Sequence, residues 1–270
     1  MLRKCLKYDL SELLRPWRWC ALAMTGVGIL YLISFLIVSV EDPSASFGIL
    51  YALATFYIGF AVLVAGGFML GTIIFIIASV WRSFFSDRGY LTLLLPVPRK
   101  TQYTSKVLAA LIVTALSDLL LAVFVGATIA IKMAIRQTEF TFPVLNGWEM
   151  TQRCLGALLM LALLVAEVLT ICWLPVAFRT LGKGGTAGPV MFGILFLALT
   201  QFGIGFMATF GIFAIDGYFV LLRNIPEDAM WRKHVFDTGL LVLLLIAVVT
   251  YSIKCYLSAV RRLQKRVNLP

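Results

Sequence analysis

Apolar positions fall into six long runs along the chain, separated by short polar segments. The runs are Trp17–Val40, Ile49–Trp81, Val107–Ile131, Cys154–Ala177, Pro189–Ile215 and Thr238–Tyr256. About 20 apolar residues of helix cross the hydrocarbon core of a bilayer, so each run predicts one crossing. Ile49–Trp81 is too long for a perpendicular crossing and too short for two crossings with a turn. It predicts either a tilted helix that continues into the cytoplasm or a helix broken at Gly66-Gly67, where helix propensity is lowest. Ahead of the first run, Leu2, Leu6, Leu10, Leu13 and Leu14 share one helical face, while Lys4, Lys7, Asp9 and Glu12 fall elsewhere. This pattern predicts an amphipathic helix over 1–16 lying in the membrane interface, with Pro16 marking the bend into the first span. The alternative is an N-terminal extension of that span. Asp9 and Glu12 interrupt the leader, and the apolar run from Trp17 is longer than a signal peptide's, so no cleavable signal is expected. The expected fold class is all-α: a polytopic membrane bundle of six transmembrane helices, with the interfacial helix, in one domain over 1–270.

Composition agrees with the pattern. Hydrophobic residues make up 61% of the chain and charged residues 13%, where a soluble domain carries about 25% charged residues. The formal net charge of +10 needs no nucleic-acid partner, because Lys and Arg gather on the cytoplasmic side of membrane proteins. With the N-terminus inside, 17 of the 23 Lys and Arg fall on cytoplasmic segments: five up to Arg18 at the start of the first span, five in 82–106, two after the fourth span and five from Lys254 at the end of the sixth span onward. Only Lys132, Arg136, Arg153, Arg223, Arg232 and Lys233 fall outside. Trp17, Trp19 and Trp81 then sit at inner boundaries and Trp148 and Trp231 in outer loops, as interfacial tryptophan should. A multi-pass protein of the cell membrane with both termini cytoplasmic is expected.

Catalytic chemistry is not visible. His234 is the only histidine, which excludes paired-histidine zinc motifs and leaves no inward histidine for a triad. Gly182-Lys183-Gly184 is the nearest approach to a phosphate loop. It has Gly184 where Ser or Thr is needed and Ala177 where the first Gly is needed, so it fails twice. The chain is not expected to be an enzyme, nor to hold a metal or other cofactor. Cys5, Cys20, Cys154, Cys172 and Cys255 show no ligand spacing and read as small apolar residues in helices. Gly67 and Gly71 form one GxxxG, a weak signal for close helix packing.

Two carboxylates lie within spans. Asp118 is eleven residues into the third and Glu167 ten residues from the inner end of the fourth, so both sit roughly 15 Å deep at helical rise. An ionised side chain there costs at least about 2.5 kcal/mol. On consecutive antiparallel helices they could share a proton. They read either as a proton relay or substrate contact, or as a protonated structural pair that bonds through Ser117, Thr114 or Thr170.

The segment between the second and third spans is the most distinctive. It runs Phe84-Phe85-Ser86-Asp87-Arg88-Gly89-Tyr90-Leu91-Thr92-Leu93-Leu94-Leu95-Pro96-Val97-Pro98-Arg99, with Ser105-Lys106 after it. Physically it is a short amphipathic stretch ended by two prolines. Asp87, Gly89, Tyr90, Leu91, Leu95, Pro96 and Lys106 resemble the first cytoplasmic loop of type-2 permease subunits of ATP-binding-cassette exporters in bacteria. Leu181, Gly182 and Lys183 resemble that family's second cytoplasmic contact. Pro98 stands where Ser is expected, and Gly184-Gly185-Thr186 is more flexible than the family's basic turn.

The resemblance implies that 82–106 is a coupling loop that docks into a separate ATPase. It implies that ATP and Mg are bound by that ATPase and not by this chain. It also implies a second permease subunit, identical or different, and an apolar or amphipathic substrate such as a peptide, lipid or drug. The alternatives are a proton-coupled secondary transporter using Asp118 and Glu167, and a membrane scaffold or sensor subunit with no transport role.

Overall fold

The computed structural model describes residues 2–40, 48–85, 97–136, 147–181 and 230–265. These residues form five helices, apart from the short approach at 97–98: α1 (Leu2–Val40), α2 (Gly48–Phe85), α3 (Arg99–Arg136), α4 (Gly147–Leu181) and α5 (Met230–Lys265). All five are long and apolar enough to span a membrane. The run at 189–215 lies outside the described residues. The chain divides into two compact units, Met1–Pro143 and Val144–Pro270.

In the first unit α1 packs on both α2 and α3. Its partners on α3 lie 94, 96 and 100 residues further along the chain. This nearly constant offset makes α1 and α3 parallel. The offset to α2 instead grows from 30 at Val27–Tyr57 to 67 at Glu12–Ser79, so α2 runs antiparallel to both. Buried positions Leu13, Met24 and Gly28 of α1 recur at helical spacing and face the partners. At Gly28 a Cβ would collide with the ring of Phe124 on α3. Around Gly67 and Gly71 the space is open, so the GxxxG pair makes no close packing among the described residues.

The structure corrects two sequence boundaries. The segment expected as an interfacial helix is continuous with the first span, since α1 runs unbroken from Leu2 through Pro16. Pro16 cannot donate to the Glu12 carbonyl, a loss worth about 3 kcal/mol in a helix interior. Contacts on both sides hold the helix together through it: Asp9, Glu12 and Leu13 before the proline, and Trp17 after it. Likewise, 82–106 is not all loop. Helix α2 continues to Phe85 and α3 begins at Arg99, where the Pro98 carbonyl accepts the amides of Thr101 at 2.9 Å and Gln102 at 3.2 Å. The second helix also passes Gly66-Gly67 without a break.

In the second unit α4 packs on α5. Thr170 meets Tyr251 and Trp173 meets Ser258, at offsets of 81 and 85 residues, so these two helices are parallel as well. Their shared core lies toward both C-terminal ends, with Val168, Cys172, Val176, Cys255 and Ala259 buried. Cys172 and Cys255 thus act as small core residues.

Candidate functional site

The strongest polar constellation joins the three helices of the first unit near the start of α3. Lys106 is 5% exposed. Its Nζ lies 2.8 Å from Asp9 Oδ1 and 2.7 Å from Glu12 Oε2, and donates to Ser79 Oγ at 3.0 Å. An ammonium has three donors, and these contacts use all three. Ser79 donates to the same Glu12 oxygen at 3.3 Å, and the Ser105 hydroxyl donates to Asp9 Oδ2. Asp9 and Glu12 sit three residues apart on α1 and so reach the same side of the helix.

Burying an ammonium costs several kcal/mol, and pairing of this quality offsets the cost. A cluster of this kind therefore fixes register more than it adds stability. Here it sets α1 against α2 and α3 at one depth. The cluster also opens outward on one side, since the Glu12 side chain is 44% exposed while that of Asp9 is 16%.

A second polar layer lies further along the same helices. Trp17 Nε1 donates to Ser117 Oγ at 2.8 Å, and Thr72 Oγ1 lies 3.4 Å from that oxygen. Ser117 and Thr72 also bond the carbonyls of Val113 and Phe68, one turn back on their own helices. The Trp17 ring packs 6.4 Å from the Phe68 ring. The two layers hold the three helices together at two heights.

Of the residues singled out in the sequence, Lys106 is the one that the described structure places in this cluster. Asp87, Gly89, Tyr90, Leu91, Leu95, Pro96, Gly182 and Lys183 lie outside the described residues, and Leu181 is the last residue of α4. Helices α2 and α3 meet close to the ends that flank residues 86–96. There the Phe84 and Tyr103 rings are 6.5 Å apart and Tyr103 is fully buried.

Asp118 is half-buried next to Ser117 in the first unit, and Glu167 is half-buried on α4 in the second. The hydroxyls expected to serve them have other contacts. Thr114 and Thr170 bond the carbonyls of Ala110 and Ala166, and Thr170 also meets the Tyr251 hydroxyl at 3.1 Å. Among the described residues no group of three His, Cys, Asp or Glu could hold a metal ion.

Sequence reasoning missed Asp9 and Glu12 as partners of Lys106. It placed both carboxylates on the solvated face of an interfacial helix. The available signal was depth: once α1 is continuous, two carboxylates just before the first span stand level with a lysine just before the third. Comparison with known proteins finds no matching family model, no matching curated protein and no matching solved structure.

Proposed function

We propose that the chain is the membrane-spanning permease subunit of an ATP-binding-cassette exporter of a bacterial cell membrane, moving an apolar or amphipathic substrate. The Lys106 junction is the observation that supports it best. The Asp87–Pro96 motif lies between the end of α2 at Phe85 and the start of α3 at Arg99. Lys106, two turns into α3, ties α2 and α1 to that end of the unit. A partner ATPase that pushes on the motif would therefore move three helices together rather than bend one connection. Packed elements respond to such a push as rigid bodies between discrete arrangements.

In this reading an ATPase binds beneath each of two permease subunits, and both termini of this chain are cytoplasmic. The parallel course of α4 and α5 favours a further crossing between them. Two parallel spans require the chain to return through the bilayer, and Pro189–Ile215 is an apolar run of suitable length. That supports six spans.

The coupling role is tested at Tyr90 and Leu91. An apolar loop face needs a surface to cover it. Truncating a buried aromatic anchor weakens an interface by about 2 kcal/mol, or about thirtyfold in Kd. Tyr90→Ala with Leu91→Ala is expected to lower ATPase binding by about that factor, with insertion and expression unchanged. The readout is retention of the ATPase on the tagged chain across a dilution series. Wild-type retention by the double variant would remove the coupling role from this loop.

A further inference from the structure

We propose that the C-terminal end of α5 carries a binding site for the phosphate headgroup of an anionic membrane lipid. A groove of about 450 Å³ opens there, lined by Lys254, Leu257, Ser258, Arg261 and Arg262. The spacing of these residues places them along one side of the helix. Three of the five are cationic. Helix α5 carries no Asp or Glu after Asp237, and α4 carries none after Glu167. The two packed helices thus supply no carboxylate along this stretch beside Lys254 and Arg261.

Two of the lining side chains are held from α4. The Arg262 guanidinium lies 5.6 Å from the centroid of the Trp173 ring, and Trp173 Nε1 donates to Ser258 Oγ at 3.2 Å. A cation over an indole face is attracted by the ring quadrupole, which fixes the guanidinium in place. Arg261 and Lys254 are exposed, and their long stems let the charged heads reach toward one phosphate. A guanidinium bonds phosphate oxygens in pairs, and an ammonium adds a point charge.

The position in the helix selects lipid over a soluble anion. The groove begins where the apolar length of α5 ends. Directly before it Ile253 is 54% exposed, and Leu257 within it is 44% exposed. A phosphate seated among Lys254, Arg261 and Arg262 would leave its acyl chains against these apolar side chains. Basic clusters at the end of a membrane helix attract anionic headgroups. Phosphatidylcholine, which carries a compensating choline, lacks the net charge.

The test uses the purified full-length protein in a nonionic detergent and native mass spectrometry. It is titrated with phosphatidylglycerol and with phosphatidylcholine of the same acyl chains. Wild type is expected to retain phosphatidylglycerol at least about tenfold more tightly. Lys254→Gln with Arg261→Gln is expected to abolish most of that preference. This pair spares Arg262 and its stack on Trp173, and an unchanged melting temperature shows that the fold is intact. Millimolar inorganic phosphate is expected to leave lipid retention unchanged. Equal retention of the two lipids, an unaffected double variant, or displacement of lipid by inorganic phosphate would each overturn the assignment.

Discussion

Replacing Lys106 with Met is expected to lower the stability of the first unit by about 3 kcal/mol, the cost of leaving a buried charge without its partner. Methionine keeps most of the lysine's length and volume, so the change isolates the charge. It leaves Asp9, whose side chain is 16% exposed, with the Ser105 hydroxyl and Glu12 with the Ser79 hydroxyl, both carboxylates having lost the ammonium between them. The 44% exposure of the Glu12 side chain lets water screen part of the loss. The loss therefore falls toward the lower end for buried pairs. Thermal unfolding in detergent, followed by tryptophan fluorescence, reads the effect. Adding Asp9→Asn and Glu12→Gln to the Lys106→Met chain should recover part of the loss, because the stranded charges are then gone. A Lys106→Met chain that melts like wild type would mean that the junction does not hold the helices. A triple variant no better than the single one would mean that the cost was not electrostatic.

Gly28→Leu is expected to cost about 1–2 kcal/mol by a different route. A methyl group on Gly28 would overlap the outer atoms of the Phe124 ring, which α3 lays against α1 there. A leucine must push the ring aside or separate the helices, and overpacking of this kind costs about 1–3 kcal/mol. The lower part of that range applies: the two helices are pinned by the Trp17–Ser117 and Lys106 contacts, but Phe124 is half-buried and its ring can give. Phe124→Ala in the same chain should restore much of the stability by vacating the space. Gly66→Leu is the control: the space around Gly66 is open, and leucine favours helix over glycine. It should leave the melting temperature unchanged or raise it. If Gly28→Leu and Gly66→Leu behave alike, the close approach of α1 and α3 is refuted.

The apolar runs were legible because hydropathy reports the environment of a segment directly. Each of α1 to α5 contains, or nearly contains, one of the six runs, and the remaining run lies outside the described residues. Partner choice was not legible. Asp9 and Lys106 are 97 positions apart, and nothing local to either residue marks the other. Pro16 misled for a physical reason. Its local preference is to end a helix, but contacts from two other helices flank it on both sides and override that preference. The glycines show the same limit. Gly67 and Gly71 match a packing motif yet face open space, whereas the solitary Gly28 meets a neighbouring helix. The basic residues of α5 were read only as a topology signal, since their convergence on one groove depends on how Trp173 of α4 positions Arg262.

The permease reading is tested most directly by what accompanies the chain out of the membrane. The full-length protein, tagged at its C-terminus, is extracted in mild detergent from its native membrane and purified, and the co-purifying proteins are identified by mass spectrometry. The account predicts one ATPase subunit per permease subunit, with a complete phosphate-binding loop, retained through size exclusion and reduced by Tyr90→Ala with Leu91→Ala. A stable, well-folded protein that elutes with no nucleotide-binding chain at any stage would contradict it.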